Sequence, residues 1–138
     1  MNETYAQIGS ALRFYLDSNW VVADADVAWE NAPYKPNIKP WIRVSVKPTL
    51  SYSNTIGCNH TYRKGFLLVQ VFVRYDTGTG TVENILGLLS ALFENQRIGT
   101  NIQFYTGEVT TIGDSTRQLN HIESDWFQVM VKFPFETL

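Results

Sequence analysis

A chain of 138 residues with 44% hydrophobic and 17% charged residues has the length and apolar content for one folded core, and too little for two. Four Trp, seven Tyr and eight Phe supply large packing units, which excludes a disordered chain as the default. The net charge of −2 hides an asymmetry: residues 31–75 contain no acid but hold Lys35, Lys39, Arg43, Lys47, Arg63, Lys64 and Arg74. Such a segment marks a nucleic-acid surface, a surface for an acidic protein, or the solvated side of strands, and the last two are preferred. Met1 to Ser10 carry Glu3 and no basic stretch, and no apolar run approaches the roughly 20 residues that span a bilayer. Neither a signal peptide nor a membrane partner is expected. A lone cysteine, Cys58, has no internal partner for a disulfide and fits a reducing cytoplasm.

In chain order, residues 2–16 place Tyr5, Ile8, Leu12 and Tyr15 at spacings of three and four, which predicts an amphipathic helix. Asn2 is its candidate N-cap, and Asp17, Ser18 and Asn19 its stop. Short extended stretches follow at 20–23 and 27–31. Pro33, Pro36 and Pro40 then exclude helix or central strand. Residues 41–47 alternate, with Ile42, Val44 and Val46 on one side and Trp41, Arg43, Ser45 and Lys47 on the other, as a half-buried strand does.

Residues 49–65 are polar and turn-rich, and are read as a long loop or arm. Residues 66–75 give the strongest strand signal, with Leu67, Val69, Val71 and Val73 facing one way and Phe66, Leu68 and Phe72 the other. After a glycine-rich turn, Val82, Ile85, Leu86, Leu89, Leu92 and Phe93 describe a second helix ending near Asn95, with Thr79 or Thr81 as cap. Residues 102–111 form a strand, 113–124 a polar loop, and 126–135 a final strand facing Phe127, Val129, Val131 and Phe133 to the core. The expected class is α+β, one domain over 1–138. It has a largely antiparallel sheet of four to five strands, two helices on one face, and the order αβββαββ, or αββαββ if the first short strand fails.

The chemistry-bearing motifs are incomplete. Gly78, Thr79 and Gly80 lie between strand and helix, where a phosphate cradle sits, but Glu83 occupies the place of a glycine and no Lys followed by Ser or Thr completes a P-loop. Cys58 with His60 lacks a second ligand pair for zinc, and His121, Glu123 and Asp125 suit a polar loop as readily as a cation. There is no GxSxG elbow, and Asp24 with Asp26 is read as solvated rather than as an acid and base pair. Lys64 to Val71 partly imitates an RNA-stacking motif, but Leu68 and Val71 stand where aromatics are needed. No catalytic residue, cofactor or metal is expected.

Val27, Ala28, Trp29, Glu30 and Asn31, the Pro33 and Pro36 pair, then Trp41 to Val44, resemble a signature of phage tail terminator-like proteins. The likeness continues in order and spacing through Tyr62, Arg63, Lys64 and Gly65, Val69 to Val71, Gly78 to Gly80, and the helix ending in Leu92 and Phe93. Tyr75 and Asp76 depart from the proline expected before the glycine turn. The resemblance covers roughly residues 5–110 and rests on structural motifs taken in order.

It implies a virion structural protein at the head-proximal end of the tail, made in the host cytoplasm. Such a subunit assembles with itself as a ring, a hexamer, on the completed tube, stops tube growth and offers a joining surface to a head completion or connector protein. Tyr52, Ile56, Tyr62, Arg63 and Lys64, on the arm, are the candidate interface residues. From another class, a single-stranded nucleic-acid or RNA-binding module would use the basic 31–75 segment with Tyr34, Trp41 and Tyr62.

Overall fold

A computed structural model describes residues 4–20, 25–30, 40–53, 61–74, 80–99, 101–113 and 126–138, with backbone alone at 111–113. Helix α1 spans Tyr5–Asn19. Its cap is Thr4 and not Asn2, which lies outside the described residues. The Thr4 Oγ1 accepts the Gln7 amide at 3.2 Å, and the Gln7 Oε1 accepts the Thr4 amide at 2.8 Å. This reciprocal pair satisfies two donors that a helix start otherwise leaves open. Asn19 does not stop the helix early but closes its last turn, donating to the Tyr15 carbonyl at 2.8 Å. Thr4→Ala is expected to cost about 1 kcal/mol, a fall of about 3 °C in melting midpoint, measurable by circular dichroism. An unmoved midpoint would mean that docking alone fixes the helix start.

The strands are β1 (Asp26–Trp29), β2 (Trp41–Tyr52), β3 (Tyr62–Arg74), β4 (Arg97–Ile98), β5 (Ile102–Phe104), β6 (Glu108–Gly113) and β7 (Trp126–Thr137), with α2 (Gly80–Phe93) between β3 and β4. The sheet runs β1-β2-β3-β7-β5-β4, and β6 also pairs with β7. The fold is α+β as expected. Among the described residues the sheet has seven strands rather than four to five, and it is mixed, because β1 pairs with β2 in parallel. Parallel neighbours require the chain to return to the same end of the sheet, here between Trp29 and Trp41.

The expected strand at 102–111 is two strands with a step between them. At 105–107 the chain leaves one part of the β7 edge and joins another, the Tyr105 amide bonding the Pro134 carbonyl at 3.0 Å. That bond also explains a proline within β7. Backbone N and O of a strand residue point to the same side, so the donor Pro134 lacks would have faced the gap between β5 and β6. Gly107 fits this step because a Cβ there would stand 2.7 Å from the Phe133 ring. The two-residue β4 is too short to leave a periodic signal.

Both helices cover one face. Ile8, Leu12 and Leu16 of α1 and Ile85, Leu89 and Phe93 of α2 share a core with Ile42, Val44, Leu67, Val69, Val71, Val131, Phe133 and Phe135. Register explains this sharing: Ile42 pairs with Val71 and Val71 with Val129, while Val44 pairs with Val69 and Val69 with Val131, so the inward residues form rows across three strands. Tyr15 bonds the Leu92 carbonyl at 2.8 Å and fastens the helices together. Thr81 lies inside α2 and does not cap it; Thr79 lies outside the described residues.

Candidate functional site

Side chains of a strand alternate, so the rows that do not face the helices form a second surface. From one end it carries Trp41, Phe72 and Gln128, then Arg43, Gln70 and Met130, then Ser45, Leu68 and Lys132, then Lys47, Phe66 and Pro134. Neither α1 nor α2 packs there. Phe66, Leu68, Met130 and Pro134 are half-buried. At one end Trp41 stacks on Phe72 at 4.2 Å, Trp126 meets Trp41 edge-on at 6.2 Å, and the guanidinium groups of Arg43 and Arg74 lie over Trp41 and Trp126. Aromatic area and arginine interleaved on one sheet face are the materials of protein contact surfaces.

At the opposite end lies most of the expected arm. Residues 49–52 and 62–65 are not loop but the continued β2 and β3, shifted in register between Pro48 and Leu50. Tyr5 of α1 holds this extension: its hydroxyl lies 3.1 Å from both the Leu50 carbonyl and the Ser51 hydroxyl. Tyr52 pairs with Tyr62 and their rings stack at 5.5 Å. The Lys64 ammonium lies 5.5 Å above the Tyr52 ring and 3.8 Å from Glu136. Arg63 points to the helix side, 5.4 Å over the Tyr5 ring, while its amide bonds Thr137 Oγ1 at 2.8 Å. The structure thus gathers Tyr52, Tyr62 and Lys64 on the outer face and turns Arg63 away. Ile56 lies outside the described residues.

Between these ends runs a cleft of about 340 Å³ with Phe66 and Pro134 on its floor and Thr49, Lys64, Glu108 and Lys132 at its rim. It continues into a second hollow bounded by Leu68, Thr110 and Met130, with Phe66, Glu108 and Lys132 common to both. Lys132 lies 4.8 Å above the Phe66 ring and 4.0 Å from Glu108. Tyr105 donates to Glu136; that bond, with partial burial and the carboxylate's charge, pushes the phenol up to about 12. The tyrosine therefore remains a neutral donor at any physiological pH.

Of the chemistry-bearing motifs, Asp24, Cys58, His60, Gly78, Thr79, His121, Glu123 and Asp125 lie outside the described residues. Among the described residues no three His, Cys, Asp or Glu side chains gather as metal ligands. No described helix is long and apolar enough to cross a membrane. Sequence reasoning passed over Phe14, which is 76% exposed on α1. The available signal was its position off the stripe formed by Tyr5, Ile8, Leu12 and Tyr15.

A helix-backed sheet whose other face mixes aromatic area with paired charges offers the surface of a subunit suited to protein contact. The chain belongs to the phage tail terminator family: the family model described as phage tail terminator protein matches residues 7–135, including the C-terminal strand. It is a structural protein of the phage tail, and its working contacts are with other tail components. Solved structures repeat the fold; one, whose name carries no function, is 18% identical, covers 98% of this chain over 96% of its own, and superimposes with a TM-score of 0.72. No curated protein matches the sequence.

Proposed function

We propose that this protein ends the tail. Copies close into a ring, a hexamer, on the completed tube, stop further tube subunits from adding, and present their far side to the head completion or connector protein. The observation that carries this reading is the outer sheet face, which holds a stacked aromatic group at one end and the tyrosine-tipped β2–β3 ribbon at the other. One ring surface must meet the tube and another the head, and a single domain with two separated contact regions suits that division of labour. Tyr52, Tyr62 and Lys64 with Ile56 form the contact set at the ribbon, and Arg63 braces it against α1.

Charge pairing favours a protein partner over nucleic acid. Lys47 pairs with Glu30 and Lys64 with Glu136, so two lysines of this face already have acidic neighbours, and Glu108 brings an acid to the third, Lys132. A phosphate-tracking surface works by uncompensated cations. Electron microscopy of the source phage carrying an early stop in this gene is expected to show overlong or unjoined tails beside filled heads, restored by complementation. Normal virions would overturn the reading.

A further inference from the structure

Phe14 is the most exposed large apolar side chain of the described residues. At about 100° per residue it stands about 200° around α1 from the buried Leu12, directed away from the sheet. Ser10 and Ser18, one turn to either side, leave it standing clear, and Arg13 and Asp17 flank it with opposite charges. A lone exposed phenylalanine is ordinary. This one acquires meaning from the opposite side of the molecule, where the cleft beside Phe66 has an apolar floor and a rim of both signs. Glu108 and Lys132 there are 4.0 Å apart with side chains 74% and 45% exposed, a loose pair free to exchange partners.

We propose that neighbouring copies join head to tail, Phe14 of one seating in the cleft beside Phe66 of the next, with Arg13 meeting Glu108 and Asp17 meeting Lys132. The inference rests on the ring reading and supplies its subunit contact. Arg13 and Asp17 are separated by about 6 Å along the helix, which matches a pair of adjacent cross-strand charges. Knob and cleft lie on opposite layers, so one two-fold contact cannot bury both; the contact is heterologous, the kind from which a ring is built when the rotation between copies closes. The α1 of one copy then supplies the helical layer that the outer sheet face of the next lacks.

Two measurements on the full chain test this. In sedimentation velocity, Phe14→Ser should raise the concentration needed for self-association about 30-fold while leaving the circular dichroism spectrum unchanged, because the side chain is outside the core. In a Cys58→Ser background that keeps Phe14, an Asp17→Cys chain mixed with a Lys132→Cys chain should form a covalent heterodimer on mild oxidation, well above either homodimer. Association undisturbed by Phe14→Ser, with no preferred heterodimer, overturns this contact and leaves the ring reading standing. A chain that stays monomeric and untrapped, while the stop-codon phage makes overlong tails, also overturns the contact alone. Normal virions from that phage overturn the ring itself.

Discussion

Phe93→Ala is expected to lower the melting midpoint by about 10–17 °C, the consequence of losing about 3–5 kcal/mol in a chain of this length. Phe93 is fully buried at the end of α2, where three rings converge on it: Tyr15 of α1 at 5.6 Å, Phe104 of β5 at 5.3 Å and Phe133 of β7 at 5.5 Å. One side chain therefore joins both helices to the part of the sheet where β5 and β7 meet. Alanine removes the transfer energy and leaves a cavity that the surrounding rings, fixed on separate elements, cannot collapse to fill. Phe93→Leu should cost less, since it loses the same ring contacts but keeps most of the volume and leaves a smaller cavity. Thermal and urea unfolding would measure both. A fall under about 3 °C for the alanine variant would show that this junction is not what ties the layers together.

Legibility in the sequence followed the range of the forces involved. Alternation in 41–47, 66–75 and 126–135 marked three strands and their inward faces, because each residue's side is fixed by its parity. The helices were legible for the same reason, from Ile8, Leu12, Ile85 and Leu89. What local pattern could not reveal was the extension of β2 and β3 past Pro48. Residues 49–52 follow a proline and show no clean alternation, and Tyr5 reaches Leu50 and Ser51 there from the first turn of α1. The step at 105–107 depends on Pro134 and Phe133, again distant in sequence. The outer face was concealed by its own composition: Phe66, Leu68 and Phe72 make β3 apolar on both sides, which reads as a strand buried twice over. Of the candidate interface residues, Tyr52, Tyr62, Arg63 and Lys64 lie where the arm was expected, but the pairing of Tyr52 with Tyr62 and the turning of Arg63 toward Tyr5 are products of register. No property of those residues taken singly announces them.

Gly65→Ala, a change of one methyl group, is expected to cost about 1–3 kcal/mol and about 3–10 °C. Gly65 pairs with Pro48 on β2 and Phe135 on β7, and a Cβ would stand 2.6 Å from the Lys47 carbonyl oxygen and 3.0 Å from the Phe135 ring. The ring can turn. The carbonyl belongs to the backbone and can retreat only if β2 moves off β3, at the point where the register shifts between Pro48 and Leu50. Everything beyond that point, including Tyr52, Tyr62 and Lys64, is carried on the displaced ribbon, so the contact proposed for the ribbon should weaken more than the loss of stability alone predicts. Gly87 provides the control: it is exposed within α2 with nothing within 4 Å of its Cβ position, and alanine there should stabilise by about 0.5–1 kcal/mol through helix entropy. The same chemical change should thus move the midpoint in opposite directions at two glycines, as measured by thermal unfolding. An unchanged midpoint for Gly65→Ala would mean that β2 and β3 part at the ribbon's base without cost, and that the ribbon is hinged there rather than held.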